Sequence, residues 1–166
     1  MNSIPLDKNQ HNCQRFDCGV EVLNNYLKRM AHQQSTKDNS RTFVLVDEKN
    51  PEFIIGYYTL TMTSLDLSVL PQKLQKKHHN AQSAGLIARL AVDKRYIKQG
   101  YGEWLLIDAL YKFLIASEIV AFPLIIVDAK QGISQFYNNM GFTAFLDNPN
   151  KLFMTLTDVR FSLKKP

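Results

Sequence analysis

The sequence has few of the residues that disulfide-rich, collagen-like or metal-binding proteins need. Its 166 residues include two cysteines, seven glycines, six prolines and four histidines. Cys13 and Cys18 have no second Cys or His pair at zinc-ligand spacing, so we expect two free thiols and no metal site. No apolar run approaches the roughly 20 residues that a membrane-spanning helix requires. The composition therefore indicates a globular protein without membrane contact.

What remains is the composition of one well-packed domain. The chain is 45% hydrophobic and long enough to bury a single core, so we predict one domain over residues 1–166. The amino terminus, MNSIPLDKNQ, lacks the basic and then apolar pattern of an export signal, and we expect a cytoplasmic protein. The net charge of +5 favours an anionic partner: nucleic acid, a phosphorylated cofactor or an acidic protein.

Hydrophobic periodicity divides the chain into helices and strands. The first predicted helix spans residues 19–34, capped by Asp17, with Val20, Leu23, Leu27 and Met30 on its apolar face. Further helices are predicted at residues 72–80, 101–117 and 133–140, and strands at 42–46, 53–65, 86–92, 124–127 and 152–156. This order indicates an α/β fold with a mixed sheet.

The segment from Arg89 to Gly102 carries a pattern that points to a ligand. An apolar strand passes through a turn containing Gly100 and Gly102 into the long predicted helix. The first N–H groups of a helix have no partner within it, and with the positive end of the helix dipole they form a site for pyrophosphate. Because G-x-G alone is a weak signal, the prediction of cofactor binding depends on a second motif.

That second motif, Phe136-Tyr-Asn-Asn-Met-Gly-Phe142, follows the next predicted strand. Together the two segments resemble the acetyl-CoA-dependent N-acetyltransferases of the GNAT superfamily, whose pyrophosphate loop reads Q/R-x-x-G-x-G/A and which often carry F-Y-x-x-x-G-F. Gly100 and Gly102 match the two small positions of the loop, whereas Ile97 stands where the family has Gln or Arg. The backbone cradle does not need that side chain, because its donors are amides.

The resemblance extends to one branch of that superfamily over most of the chain. FDCGVEVLNNYLKRMAHQ, RLAVDKRY, FYNNMGF and LFMTL are similar to segments of the toxin acetyltransferases encoded beside ribbon-helix-helix antitoxins. The resemblance implies a single GNAT-like domain, with a mixed, mostly antiparallel, twisted sheet flanked by helices on both faces. It also implies a toxin that moves acetyl from acetyl-CoA to the α-amine of aminoacyl-tRNA and blocks translation. The implied partners are charged tRNA, the antitoxin, DNA through the antitoxin complex, and a second copy of the chain.

The resemblance also assigns roles to individual residues. The predicted acetyl-CoA-binding residues are Leu90, Ala91, Val92, Lys98, Gln99, Gly100, Tyr101, Gly102, Glu103 and Phe136. From the chemistry alone, a backbone amide on the strand around Leu90 to Val92 would stabilise the oxyanion that forms when the amine attacks the thioester. An α-amine titrates near 7.7–8.0, so no strong protein base is needed. Tyr137 is predicted to be the general acid for the leaving thiolate.

Basic residues near these motifs are candidates for the tRNA surface. They are Arg89 and Arg95 around the strand, and Lys73, Lys76 and Lys77 on the short basic helix. Phosphate contacts with Lys and Arg supply much of the affinity of proteins for nucleic acids. The three lysines would alternatively dock an acidic antitoxin tail.

Two other functions are compatible with the same residues. An N-acetyltransferase of this kind would alternatively act on a protein amino terminus or a small amine, and a comparison of acceptors distinguishes that case. The chain would otherwise be a CoA-binding interaction or repressor module without turnover, which the loss of Gln or Arg at Ile97 favours. Tight CoA binding without acetyl transfer would identify such a module.

Overall fold

A computed structural model describes residues 1–164 of the chain. Its strands are Ser3–Pro5 (β1), Arg41–Val46 (β2), Ile54–Ser64 (β3), Ser83–Val92 (β4), Leu124–Asp128 (β5), Thr143–Phe145 (β6) and Asn148–Thr155 (β7). Its α-helices are Glu21–Asn25 (α1), Ala31–Thr36 (α2), Gln72–Lys77 (α3), Tyr101–Ser117 (α4), Ser134–Asn139 (α5) and Leu156–Leu163 (α6). A π-helical turn, Tyr26–Met30, joins α1 to α2, and 3₁₀ turns occur at Cys13–Arg15, Leu67–Val69 and Lys94–Tyr96.

The strands form one sheet in the order β1-β2-β3-β4-β5-β7-β6. Strand β2 pairs with β1 and β3 in antiparallel fashion, and β7 does so with β5 and β6. Strands β4 and β5 are parallel. The prediction of an α/β fold with a mixed, mostly antiparallel sheet is therefore confirmed, including the hairpin of β2 and β3.

The chain divides into two compact units, of which the first comprises residues 1–61 and 88–109. Its core consists of buried aromatic and aliphatic side chains, among them Phe16, Tyr26, Leu27, Val44 and Tyr57. Gly56 on β3 faces the backbone of β4, where a Cβ would lie 2.8 Å from the carbonyl oxygen of Ala91. Glycine at this position therefore allows the close approach of strand β4.

The second unit comprises residues 62–87 and the chain from residue 110 onward. Its core contains Leu70, Ala84, Leu124, Ile126, Phe145 and Phe153. Phe113 packs edge to face on Phe122, with ring centroids 5.7 Å apart. A Cβ on Gly85 would lie 2.8 Å from the Phe113 ring, so this glycine makes room for an aromatic side chain of α4.

The first helix differs from its prediction. It is interrupted by the π-helical turn, in which the amide of Ala31 donates to the carbonyl of Tyr26, five residues earlier. The extra residue shifts the buried face, so that Met30 is 46% exposed and Ala31 is fully buried. The predicted cap is also wrong, because Val20 occupies the N-cap position and Asp17 accepts instead from the main-chain amide of Gly19 and the side-chain amide of Asn24.

Three observed elements were not predicted. Strands β1 and β6 contain three residues each, too few for a two-residue alternation to be recognised. Helix α6 begins at Leu156, the residue assigned to the end of the last predicted strand. The Thr155 hydroxyl accepts a hydrogen bond from the Asp158 amide at 3.2 Å, which caps this helix and separates it from β7.

Candidate functional site

The loop between β4 and α4 has the backbone shape of an anion site. Lys98 and Gly100 have φ angles of 59° and 83°, in the left-handed region. Turns with such residues direct several N–H groups into one concave nest that binds anions. The Gly100 carbonyl accepts the first helical hydrogen bond, from Trp104 N at 3.1 Å. The amides of residues 101–103 consequently have no acceptor within the helix.

The space around this loop is open. A Cβ on Gly100 would meet nothing within 4 Å, so the positive φ and not crowding is what favours glycine there. Ile97 is 52% exposed, and Lys98, Gln99 and Glu103 are exposed as well. A ligand can therefore reach the main chain of the loop, and the residues present fit a diphosphate group.

Asp93 anchors the start of the loop. Its side chain is fully buried and accepts from Nε and Nη2 of Arg95 at 2.8 Å each and from the Asp17 amide at 3.0 Å. Its own amide donates to the Ile55 carbonyl of β3. Burial raises the pKa of Asp93, but the hydrogen bonds from Arg95 and the Asp17 amide outweigh it, and the pKa lies below its ordinary value. Asp93 is thus an ionised structural residue.

A second ion pair holds the same turn. Lys94 Nζ lies 2.6 Å from Asp17 Oδ2, and the Lys94 amide donates to the Asp17 carbonyl at 2.8 Å. The Lys94 side chain, the main-chain amide of Gly19 and the side-chain amide of Asn24 hold the pKa of Asp17 well below its usual range. The segment around Asp17 therefore fixes the turn that precedes the loop.

Arg89, a predicted tRNA contact, is held by an aromatic ring. Its guanidinium carbon lies 3.6 Å from the centroid of the Tyr26 ring, and its side chain is half-buried. Tyr26 is itself 4% exposed, and its hydroxyl is 3.2 Å from Ser40 Oγ. Stacking leaves the N–H edges of a guanidinium available to a partner. Tyr26, which the sequence analysis did not assign to the site, is thus a platform for Arg89.

The other predicted basic contacts differ in their surroundings. Arg95 is bound to Asp93, whereas Lys73, Lys76 and Lys77 are exposed on α3. Lys73 and Lys77 line a cavity of about 360 Å³ in the second unit. A role for any of these side chains in binding tRNA stays a prediction.

Tyr137 lies on α5 in the second unit and is 7% exposed. Its ring meets those of Phe136 and Phe142 edge to face, at centroid distances of 5.0 and 5.7 Å. Burial raises the pKa of Tyr137 to about 12. The phenol is therefore protonated at neutral pH, and its role as an acid stays a prediction.

Residues 1–164 contain neither a candidate metal cluster nor a candidate membrane span. No group of three or more His, Cys, Asp or Glu side chains in this part of the chain is placed to hold a metal ion. None of its helices is both long enough and apolar enough to cross a bilayer. Cys13 and Cys18 are both free thiols.

No protein-family model matches the chain, but known proteins do. It is 26% identical to a probable toxin TacT of Sinorhizobium fredii, over 94% of this chain and 91% of that protein. It is also 26% identical to a tRNA-acetylating toxin of Mycobacterium tuberculosis, over 87% of this chain and 86% of that protein.

Solved toxin structures have the same fold. A tyrosine-to-phenylalanine mutant of KacT superposes with a TM-score of 0.88 at 28% identity, covering 96% of this chain and 97% of that one. AtaT complexed with acetyl-methionyl-tRNAfMet superposes with a TM-score of 0.87 at 26% identity, covering 98% of this chain and 99% of that one. AtaTR bound with acetyl-CoA superposes with a TM-score of 0.81 at 26% identity, covering 98% of both chains. The fold is therefore that of the GNAT-type toxins.

Related structures also contain protein and DNA partners. One shows an AtaT mutant bound to the C-terminus of the antitoxin AtaR and to acetyl-CoA, and its 24% identity to this chain supports the fold alone. Another is a KacTA–DNA complex, at 27% identity and a TM-score of 0.81 over 98% of this chain and 97% of that one. Together, these matches confirm the resemblance to toxins that acetylate aminoacyl-tRNA.

Proposed function

We propose that this protein is a toxin acetyltransferase that transfers the acetyl group of acetyl-CoA to the α-amine of aminoacyl-tRNA and thereby blocks translation. The likeness to AtaT complexed with acetyl-methionyl-tRNAfMet, which spans 98% of this chain, carries the proposal. The open, left-handed loop before α4 supports it independently, because it offers main-chain donors to a diphosphate.

The loop and the end of β4 would hold the co-substrate. The amides of residues 100–103 would bind the diphosphate, with Lys98 and Gln99 at the edge of the loop. The main chain of Leu90–Val92 would lie along the part of acetyl-CoA beyond the diphosphate. Phe136, on α5, would also contact acetyl-CoA. When bound, acetyl-CoA supplies an acetyl group activated as a thioester. The amide donors remain despite Ile97, since none of them belongs to that side chain.

Tyr137 would hold a proton at Oη for the leaving sulfur. With a pKa of about 12, it is a weaker acid than a thiol, whose ordinary pKa is about 8.5. Complete transfer to a free thiolate would therefore be uphill, by roughly 5 kcal/mol at 1.36 kcal/mol per pKa unit. We assign Tyr137 the donation of a hydrogen bond to sulfur as the C–S bond breaks. The proton released by the amine balances the one that the thiol finally carries.

The remaining roles are part of the same proposal. We propose that charged tRNA contacts Arg89, with Arg95, Lys73, Lys76 and Lys77 as further candidates. We also propose a homodimer, a ribbon-helix-helix antitoxin as partner, DNA binding through that antitoxin, and a cytoplasmic location where charged tRNA is available. Residues 1–166 would act as a single acetyltransferase domain.

Mass spectrometry of the amino acids linked to RNA tests this function. Purified protein is incubated with charged tRNA and isotope-labelled acetyl-CoA, and we expect labelled N-acetylaminoacyl-tRNA. Tyr137→Phe should lower the rate by roughly 10²- to 10³-fold, the range for a lost hydrogen-bond donor to a developing charge, with acetyl-CoA binding unchanged in calorimetry. Labelled acetyl groups on peptides or polyamines but not on tRNA would contradict the proposal that aminoacyl-tRNA is the substrate. Full activity of Tyr137→Phe would contradict the role of the phenol.

A further inference from the structure

We propose that a basic cavity in the first unit is a second ligand site, and that it binds a phosphorylated nucleoside. The cavity has a volume of about 480 Å³ and is lined by the amino-terminal segment around His11 and by the helical segment around Lys28. Pockets for small molecules commonly have volumes of 300–1,000 Å³, so the cavity is large enough for a nucleotide.

Three cations line this cavity without a neutralising partner. They are Lys8, Lys28 and Arg29, and no carboxylate side chain lines the cavity with them. The ion pairs within residues 1–164 involve other cations, among them Arg41, Lys94 and Arg95. The side chains that line the cavity therefore carry a net positive charge, and an anionic ligand would balance it.

The π-helical turn forms part of the cavity wall and carries two of these cations, Lys28 and Arg29. The consecutive residues Leu27, Lys28 and Arg29 all line the cavity. In a regular α-helix, three consecutive residues point about 100° apart, so they rarely face one site. Here all three belong to the π-helical turn, which is closed by the hydrogen bond from Ala31 N to Tyr26 O. Such turns within helices occur frequently at functional sites.

His11 adds a buried polar group with one unused donor. The residue is 5% exposed and lines the cavity, and its Nδ1 accepts from the Asp7 amide at 3.0 Å. Burial lowers the pKa of His11 more than the charge of Asp7 raises it, so the ring is neutral near pH 7 and its hydrogen lies on Nε2. The described residues 1–164 give Nε2 no acceptor and contain no fully buried unpartnered side-chain nitrogen, so Nε2 is open to water or to a ligand oxygen.

The remaining lining residues favour a nucleotide over an acidic peptide. Gln14 and Gln33 carry amides that donate and accept, as the edge of a base requires, and the half-buried Leu6 offers an apolar surface. A peptide would need an extended groove with several main-chain contacts. The shared chemistry is a nucleoside phosphate, supplied either as a free nucleotide or as part of the tRNA. Only the tRNA source rests on the proposed function.

Calorimetric titration with AMP, and separately with inorganic phosphate, tests the site. The full chain is first saturated with CoA, so that AMP cannot occupy the cofactor loop. We expect one AMP per chain, bound more tightly than phosphate. Lys28→Ala should weaken AMP binding by roughly fivefold or more, as expected for a lost charged hydrogen bond. His11→Asn keeps an acceptor for the Asp7 amide but loses the Nε2 donor, and should also weaken AMP binding.

Lys37→Ala is the matched control, because Lys37 is exposed and lines none of the cavities described above. It removes the same charge and should leave AMP binding unchanged. If His11→Asn does not fold, the difference in AMP binding between Lys28→Ala and Lys37→Ala is sufficient to test the site. No AMP binding by the CoA-saturated chain, or equal losses in both lysine variants, would overturn the proposal. Binding of a polyglutamate peptide without binding of AMP would overturn it as well.

Acetylation kinetics then identify the source of the nucleotide. If the tRNA supplies it, Lys28→Ala raises KM for charged tRNA, Lys37→Ala does not, and AMP competes with tRNA. If a free nucleotide is the ligand, Lys28→Ala weakens AMP binding but leaves the KM for charged tRNA unchanged. Both outcomes support the cavity as a ligand site. Failure of the proposed function would appear instead as absent acetyl transfer in the wild-type chain with AMP binding intact.

Discussion

Asp93 shows how one buried charge supports a loop built mainly from backbone. Its carboxylate joins Arg95 and the Asp17 amide at the point where β4 ends. Replacing it with Asn leaves Arg95 without its counter-charge, and we expect a loss of roughly 1–3 kcal/mol in unfolding free energy, measured by urea titration. The matched control is Asp38→Asn, whose ion pair with Arg41 is exposed and should contribute little.

The effect of Asp93 should depend on pH in a defined direction. The pKa of Asp93 is lowered in the folded chain, so its stabilising contribution is fully present above its ordinary unfolded value of about 4. The contribution is lost as the pH falls through the depressed pKa. The difference in stability between the wild type and Asp93→Asn should therefore narrow between pH 6 and pH 3. A difference that stays constant over this range would contradict the assignment.

Tyr26 supports Arg89 by stacking the face of its ring against the guanidinium group. Tyr26→Leu removes that face, and we expect KM for charged tRNA to rise severalfold, as in Arg89→Ala, because stacking of a cation contributes on the order of 1 kcal/mol. Tyr26→Phe keeps the ring and loses only the contact with Ser40, so its KM should stay near that of the wild type. An equal rise in KM for Tyr26→Leu and Tyr26→Phe would show that stacking on the ring does not determine tRNA binding.

In the loop before α4, the positive φ of Gly100 should affect both the stability of the loop and its binding of acetyl-CoA. Gly100→Ala adds a Cβ at a φ of 83°, which costs about 1 kcal/mol and should weaken acetyl-CoA binding as the loop relaxes. Gly132→Ala is the matched control, since its φ is 86° and its Cβ position is equally open. Calorimetry with acetyl-CoA should show weaker binding only for Gly100→Ala. Unchanged binding in that variant would contradict the role of the loop.

The helices and strands show which features a sequence pattern reveals. Long elements with regular periodicity, such as β3, β4 and α4, were predicted to within a few residues. The π-helical turn was not, because the spacing of Leu23, Leu27 and Met30 suits a regular helix and only packing reveals the shift to Ala31. The turn also forms the wall of the basic cavity, so the error in the prediction fell on a candidate ligand site.

The candidate site was predictable to the extent that it depends on backbone motifs. Gly100 marked the loop because few other residues adopt a positive φ without strain. The roles of Asp93 and Tyr26 were not predictable, since each depends on a residue far away in the chain: Asp17 for the first, and Arg89 for the second. Such contacts arise only when the strands and helices pack.

The molecule as a whole was predicted to be one domain, and its contacts group into two compact units. Strand β4 and helix α4 each contribute residues to both units. Because unfolding either unit would break elements of the other, we expect one cooperative transition, with equal calorimetric and van't Hoff enthalpies. Two separate transitions in differential scanning calorimetry would contradict the single domain.

A crystal structure of the full chain with acetyl-CoA tests the central claim most directly: that the loop around Gly100 and the phenol of Tyr137 act on one thioester. We expect the diphosphate within hydrogen-bonding distance of the amides of residues 100–103. We also expect Tyr137 Oη within about 3.5 Å of the sulfur. A diphosphate bound elsewhere, or a phenol beyond reach of the sulfur, would contradict the account.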